Sequence, residues 1–331
     1  MGTIEVDANR YWGAQTERVL PNTDGRAYGL LIPDTASRDW LLAHWHETTD
    51  ETTRLARLML LHENYQACLI PDALWLDALM NGLRAETNPL LFSTITSYIS
   101  TPLRALPSAL REGPEEGLLR LSASHPQRSS RQRLLRMLIH SAAAPATLAR
   151  LYAIWRDRSE PLLNETDYTD LAYSLAVRLP DRSDSIVRTQ RARLTDPDRI
   201  RRFDFISRAM TPDTAALDTL FRSLLIPENR RIEPWTSALL GWLNHPTRER
   251  HAVRYIRPAL DALLDVQRTG DIFFPRDWVG ALLRNHRSPE AYRALLDFID
   301  ANPGYPPLLL NKVWQAAYPL YRANGEVENE K

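Results

Sequence analysis

The segment Thr53-Arg54-Leu55-Ala56-Arg57-Leu58-Met59-Leu60-Leu61-His62-Glu63-Asn64-Tyr65-Gln66 decides the fold class. Its apolar residues Leu55, Leu58, Met59 and Leu61 recur at three- and four-residue spacing, which predicts a helix with one buried stripe. Residues 72–83 repeat the pattern with Leu74, Trp75, Ala78 and Leu79. From about residue 36 onward the chain continues as amphipathic stretches of roughly 10 to 16 residues, separated by Pro, Gly, Asn or Asp. The expected class is therefore all-α. Helix starts are written into the punctuation: Pro71-Asp72, Asp196-Pro197-Asp198, Thr211-Pro212-Asp213, Ser288-Pro289-Glu290 and Tyr305-Pro306-Pro307 each place a capping residue or first-turn proline before an apolar-periodic run.

Pairs of helices recurring at a period near 40 residues predict an α-solenoid, a superhelix of HEAT-like helix pairs in which each pair buries its face against its neighbours. No crisp repeat consensus is visible, so the repeats are read as structural. The stretch 107–131, with Gly113-Pro114-Glu115-Glu116, is more broken and is expected to mark a bend. Residues 35–325 thus form the helical-repeat region, and residues 326–331 are expected to be a disordered tail.

The first 34 residues differ. Residues 3–6, 15–20 and 27–32 read as short strands, and Pro21-Asn22-Thr23-Asp24-Gly25 as a turn using glycine at positive φ. Three short strands have little stability alone, so this β leader is expected to belong to a larger sheet or to pack on the first helices.

Composition narrows function. In 331 residues, 41 basic and 41 acidic side chains cancel, so no overall field recruits nucleic acid or an anionic membrane. No apolar run approaches the roughly 20 residues of a membrane span, and Met1-Gly2-Thr3 does not open a signal peptide. The lone Cys68 lies in an apolar pattern and reads as a buried structural thiol. The basic run 188–202 is interrupted by Asp196 and Asp198 and lacks interleaved aromatics, which favours a solvated helix pair over a phosphate-binding face. His245, His251 and His286 are scattered. Trp40, Trp45, Trp75, Trp155, Trp235, Trp242, Trp278 and Trp314 fall mostly at core spacing and read as packing anchors.

The segment Leu20-Pro21-Asn22-Thr23-Asp24-Gly25-Arg26-Ala27-Tyr28-Gly29-Leu30, with the helices after it, resembles the junction of M1-family zinc aminopeptidases where a β-sandwich ends and the C-terminal helical domain begins. Leu83-Arg84-Ala85-Glu86-Thr87-Asn88, Gln267-Arg268-Thr269-Gly270-Asp271-Ile272-Phe273-Phe274-Pro275-Arg276 and Asn311-Lys312-Val313-Trp314-Gln315-Ala316-Ala317 are similar to further segments of that domain in bacterial members. The resemblance covers roughly residues 19–323. It implies a noncatalytic domain that walls the substrate cavity of a metallo-aminopeptidase, with the catalytic domain of the parent enzyme and the peptide substrate as partners. Zinc would belong to the parent.

The chain lacks the parent's chemistry. A zinc peptidase of this type needs His-Glu-x-x-His on one helix, so that two imidazoles face one metal and the glutamate polarises its water. His46-Glu47-Thr48-Thr49-Asp50 and His62-Glu63-Asn64-Tyr65-Gln66 approximate the motif, and neither ends in His. The family's Gly-x-Met-x-Asn loop is missing too. No catalytic, cofactor-binding or metal residue is therefore assigned. Residues 2–18 separately resemble the amino-terminal segment of class II fumarases and aspartases, but the lyase Gly-Ser-Ser loop is absent. The alternative reading is a stand-alone helical-repeat scaffold that binds a protein partner.

Overall fold

The computed structural model describes residues 18–325. Expectations that fall on residues 1–17 and 326–331, including the strand at 3–6, the lyase-like segment and the tail, lie outside the described residues. Among those described, eighteen α-helices are joined by short loops and 3-10 turns, and no strand occurs. The chain divides into two compact units, Met1–Leu163 and Asn164–Lys331. The division falls at the N-cap of a helix, where Asn164 and Asp167 exchange side-chain to backbone bonds of 3.0 Å each.

The first unit holds α1 (Thr35–His44), α2 (Glu51–Gln66), α3 (Asp72–Ala85), α4 (Pro89–Ala105), α5 (Ser108–Ser124), α6 (Arg128–Ser141) and α7 (Pro145–Asp157). Here α1 packs on α2 and α3, α3 on α4, α4 on α6, and α5 on both α6 and α7. The second unit holds α8 (Glu165–Arg178), α9 (Ser183–Arg193), α10 (Pro197–Ile206), α11 (Thr214–Leu224), α12 (Glu233–Leu243), α13 (Glu249–Asp261), α14 (Leu263–Thr269), α15 (Phe274–Leu283), α16 (Pro289–Asp300), α17 (Pro307–Ala316) and α18 (Tyr318–Asn324). Its chain of packing runs α8 on α9, α10 on α12, α12 and α13 on α15, α13 on α16, α15 on α17, and α16 on α18. Partners are mostly one or two places away in sequence, so burial is local along the chain.

Capping chemistry explains the boundaries. Asp50, Asn88, Asp196, Asp213 and Ser288 each accept a backbone N–H from the first turn of the helix they open. The punctuation at 196–198, 211–213 and 288–290 works as its sequence predicts. The stretch expected to be broken is instead mostly α5, which carries Pro114 inside it; the ring removes one backbone donor and the helix continues.

Three further expectations are corrected. In α2 the buried face is Ala56, Leu58, Leu60, Leu61, Asn64 and Tyr65, whereas Leu55 and Met59 face solvent, as does Leu74 in α3. The apolar band of α2 is wider than the face its neighbours cover. Cys68 is half-buried and sits at φ +62°, where it closes a Schellman motif at the end of α2: its N–H bonds Tyr65 O at 3.0 Å and the Leu69 N–H bonds Asn64 O at 3.0 Å. Residues 27–32 form no strand. Gly29, at φ +143°, bends the segment, and among the described residues no neighbouring strand offers a ladder. Residues 18–20, the described end of the strand expected at 15–20, are irregular as well.

Of the tryptophans, Trp45, Trp75, Trp155 and Trp278 are buried anchors; Trp40, Trp235 and Trp242 are half-buried, and Trp314 is exposed. The Trp45 indole N–H donates to Ala78 O and that of Trp278 to Ala259 O, both at 3.0 Å.

Candidate functional site

Both segments that approximate a zinc motif resolve into structural roles. Asp50 accepts the Thr53 N–H at 2.7 Å as the N-cap of α2; the side-chain and backbone bonds to Thr53 hold its carboxyl below the usual value. His44 and Glu47 pair at 2.9 Å, and burial lowers the His46 pKa. His62 stacks on Tyr98 with ring centroids 3.6 Å apart, and its Nε2 lies 3.1 Å from Gln66 Nε2. Burial, with Glu63 second, raises the Tyr98 pKa. Among the described residues no three His, Cys, Asp or Glu side chains come together as metal ligands.

The basic run 188–202 spans α9 and α10. Arg191 pairs with Asp204 at 2.5 Å, Arg201 pairs with Asp198, and Asp196 caps α10.

The scattered histidines have local partners. His245 Nδ1 accepts the Thr247 N–H at 3.3 Å in the turn before α13. His286, fully buried, places Nε2 2.9 Å from Asn244 Oδ1. His251 Nε2 lies 2.7 Å from Asp218 Oδ1, which also accepts the Tyr255 hydroxyl at 2.7 Å. Burial opposes charge on Asp218, but the Tyr255 and His251 bonds outweigh it and hold the carboxyl low; burial and Asp218 together push Tyr255 up.

A recurring separation connects these contacts. Glu249 accepts the N–H groups of Arg287 and Ser288 at 2.5 and 2.6 Å, 38 and 39 residues away. Glu233 accepts the Asp271 N–H, 38 residues away, at 2.8 Å. Arg248 donates to the carbonyls of Ala209, Met210 and Thr211, 37 to 39 residues earlier, and burial lowers its pKa to about 10. Gln127 reaches Thr87 O across 40 residues at 2.9 Å. Each bond ties residues at the start of one helix to residues just before the start of another. Sequence reasoning missed these residues, yet one signal was present: Asn64, Asn244, Asn302 and Asn324 each donate Nδ2 to the carbonyl four residues earlier at a helix end.

The segment before α1 is fixed at several points. The Val19 N–H donates to Ser37 Oγ at 3.0 Å, Asn22 at φ +55° bonds both backbone groups of Ala27, and Asn64 Nδ2 donates to Leu31 O at 2.8 Å. The Gly25 N–H bonds Asn22 O at 3.0 Å with Gly25 at φ +69°, so the turn forms with the glycine its sequence requires. Leu31 packs on the first unit's core, and Tyr28, Leu30 and Ile32 are exposed.

The fold and these contacts define an all-α protein of sequentially packed helices with a fixed apolar leader. Compared with known proteins, the chain matches no family model and no curated protein.

Proposed function

We propose that this chain is the noncatalytic helical domain of an M1-type metallo-aminopeptidase, a HEAT-like array that walls the peptide cavity of a catalytic part carrying zinc. The observation that carries the reading is residues 27–32. They have the composition of a strand, touch α2 where Asn64 bonds Leu31 O, and expose Tyr28, Leu30 and Ile32, while Leu55 and Met59 of α2 are exposed too. An apolar surface held in place by side-chain bonds marks an interaction face. The motif resemblance implies that a β-sandwich precedes the helical domain in the parent enzyme.

Bonds recurring at 37 to 40 residues support the repeat reading, because stacked helix pairs of equal size bring corresponding ends together once per repeat. Mixing this chain with a separately expressed zinc-bearing catalytic part, encoded upstream in the native reading frame, tests the proposal. A complex should form at concentrations on the order of tens of micromolar, and cleavage of long peptides should change more than cleavage of dipeptides. No complex and an unchanged length dependence would favour the stand-alone scaffold.

A further inference from the structure

Five large apolar side chains of the second unit stand in solvent around one cleft. Ile226 and Ile232 bracket the turn between α11 and α12, whose Glu228, Arg230 and Arg231 line the cleft. Ile272 and Phe273 lie on the facing turn just before α15, whose Phe274 lines it too, and Leu264 sits on α14 next to Asp265, which pairs with Arg230. Ile272 is 78% exposed and Phe273 59%, and the other three are exposed as well. Five of the eight exposed large hydrophobics in residues 164–325 therefore gather at one place, which makes a patch rather than ordinary scatter.

The turns that carry these side chains are fixed from below. The buried Arg230 guanidinium donates to Leu225 O at 3.2 Å, to Thr269 Oγ1 at 3.1 Å and to the Asp265 carboxylate, tying the first turn to α14. Glu233 accepts the Asp271 N–H at 2.8 Å, which ties the start of α12 to the second turn, and the Phe273 N–H donates to Asp271 Oδ1 at 2.9 Å. The Arg276 guanidinium lies over the Phe273 ring, 5.6 Å from its centroid. Apolar groups presented on turns already ordered lose little further entropy when a partner covers them.

The charges on the patch select the partner. Glu228, Arg231 and Arg268 are exposed there and pair with no side chain among the described residues, and Asp271 is exposed beside them. An acidic or a basic partner would meet like charge over part of this surface. A surface that carries both signs is complementary to itself when turned about a two-fold axis, because Arg231 of each copy can then face Glu228 of the other. The chain's zero formal net charge adds no long-range repulsion between copies.

We propose that this patch is the face of a two-fold self-association, in which a second copy of the chain covers Ile226, Ile232, Ile272 and Phe273 while Glu228 and Arg231 pair across the axis. The proposal does not rest on the aminopeptidase reading. Sedimentation velocity on the full chain between about 5 and 500 micromolar spans the dissociation constant of a small, partly polar interface, on the order of 50 micromolar. Monomer should give way to dimer over that range. Phe273→Asp should weaken association at least about tenfold. Glu228→Arg and Arg231→Glu each set like charges across the axis and should weaken it about tenfold alone, whereas an equimolar mixture of the two should recover it, since one copy then presents two guanidinium groups and the other two carboxylates. All three positions are exposed, so each variant should keep the wild-type circular dichroism and melting temperature. A chain that stays monomeric at every concentration would overturn the proposal. So would a dimer that Phe273→Asp leaves intact, or charge variants that associate no better mixed than alone.

Discussion

Gly82, on α3, faces the ring of Trp45, and a Cβ built there would lie 2.0 Å from Cζ2 of that indole. Trp45 cannot retreat, since it is fully buried and its N–H is bonded to Ala78 O. Alanine gains about 1 kcal/mol of helix propensity over glycine, while forcing a methyl into a filled core costs about 1–3 kcal/mol or more. Gly82→Ala should therefore destabilise the chain by about 2 kcal/mol in urea unfolding, against the sign that propensity alone gives. Cys68 poses the opposite case. It holds a left-handed conformation that costs a Cβ-bearing residue about 1–2 kcal/mol, and its half-buried thiol contributes little packing. Cys68→Gly should stabilise by about 1 kcal/mol, and Cys68→Ser, which keeps the strain, should leave the melting temperature nearly unchanged.

Among the elements, α13 and α16 are joined through Glu249. Burial would raise its carboxyl pKa, but His286, 3.7 Å away, and the N–H groups of Arg287 and Ser288 hold it at about 2. A folded pKa below the unfolded value of about 4.3–4.5 means the carboxylate's contribution is fully present above that range and lost as pH falls toward 2. A shift of this size corresponds to about 3 kcal/mol at neutral pH. Glu249→Gln should flatten the stability profile between about pH 4.5 and 2, as measured by urea unfolding at stepped pH. The helices themselves were legible because Asp196, Asp213 and Ser288 are strong caps ahead of periodic runs. What periodicity could not supply was which side of a wide apolar band is covered: Leu55, Met59 and Leu74 fit the helical spacing and still face solvent. Residues 27–32 have strand composition, but a strand is a property of a pair, and composition cannot reveal whether a partner lies beside it. The glutamate, glutamine and arginine bonds that span 37 to 40 residues were not legible, because their residues are too sparse to form a consensus. The cleft beside α12 was invisible for a related reason: Arg230 and Arg231 belong to a turn, and only the fold brings them to Thr269 and Phe274.

At the scale of the whole molecule, the contacts make stability a sum of neighbouring terms. Helices pack mostly on those one or two places away, and the longer hydrogen bonds reach about 40 residues, so a local defect is passed on mainly to neighbouring helices. Trp45 and Gly82 lie in the first unit, on α1's C-terminal side and in α3. Under hydrogen exchange, Gly82→Ala should therefore lower protection strongly in α1, α3 and α4. The buried helices of the second unit, α12, α13 and α15, should keep their wild-type rates. Local opening free energies differ among the foldons of one chain, so the comparison is made residue by residue in the same sample. An equal fall in protection across both units would mean that the chain unfolds as a single cooperative body, and the neighbour-by-neighbour account of its stability would fail.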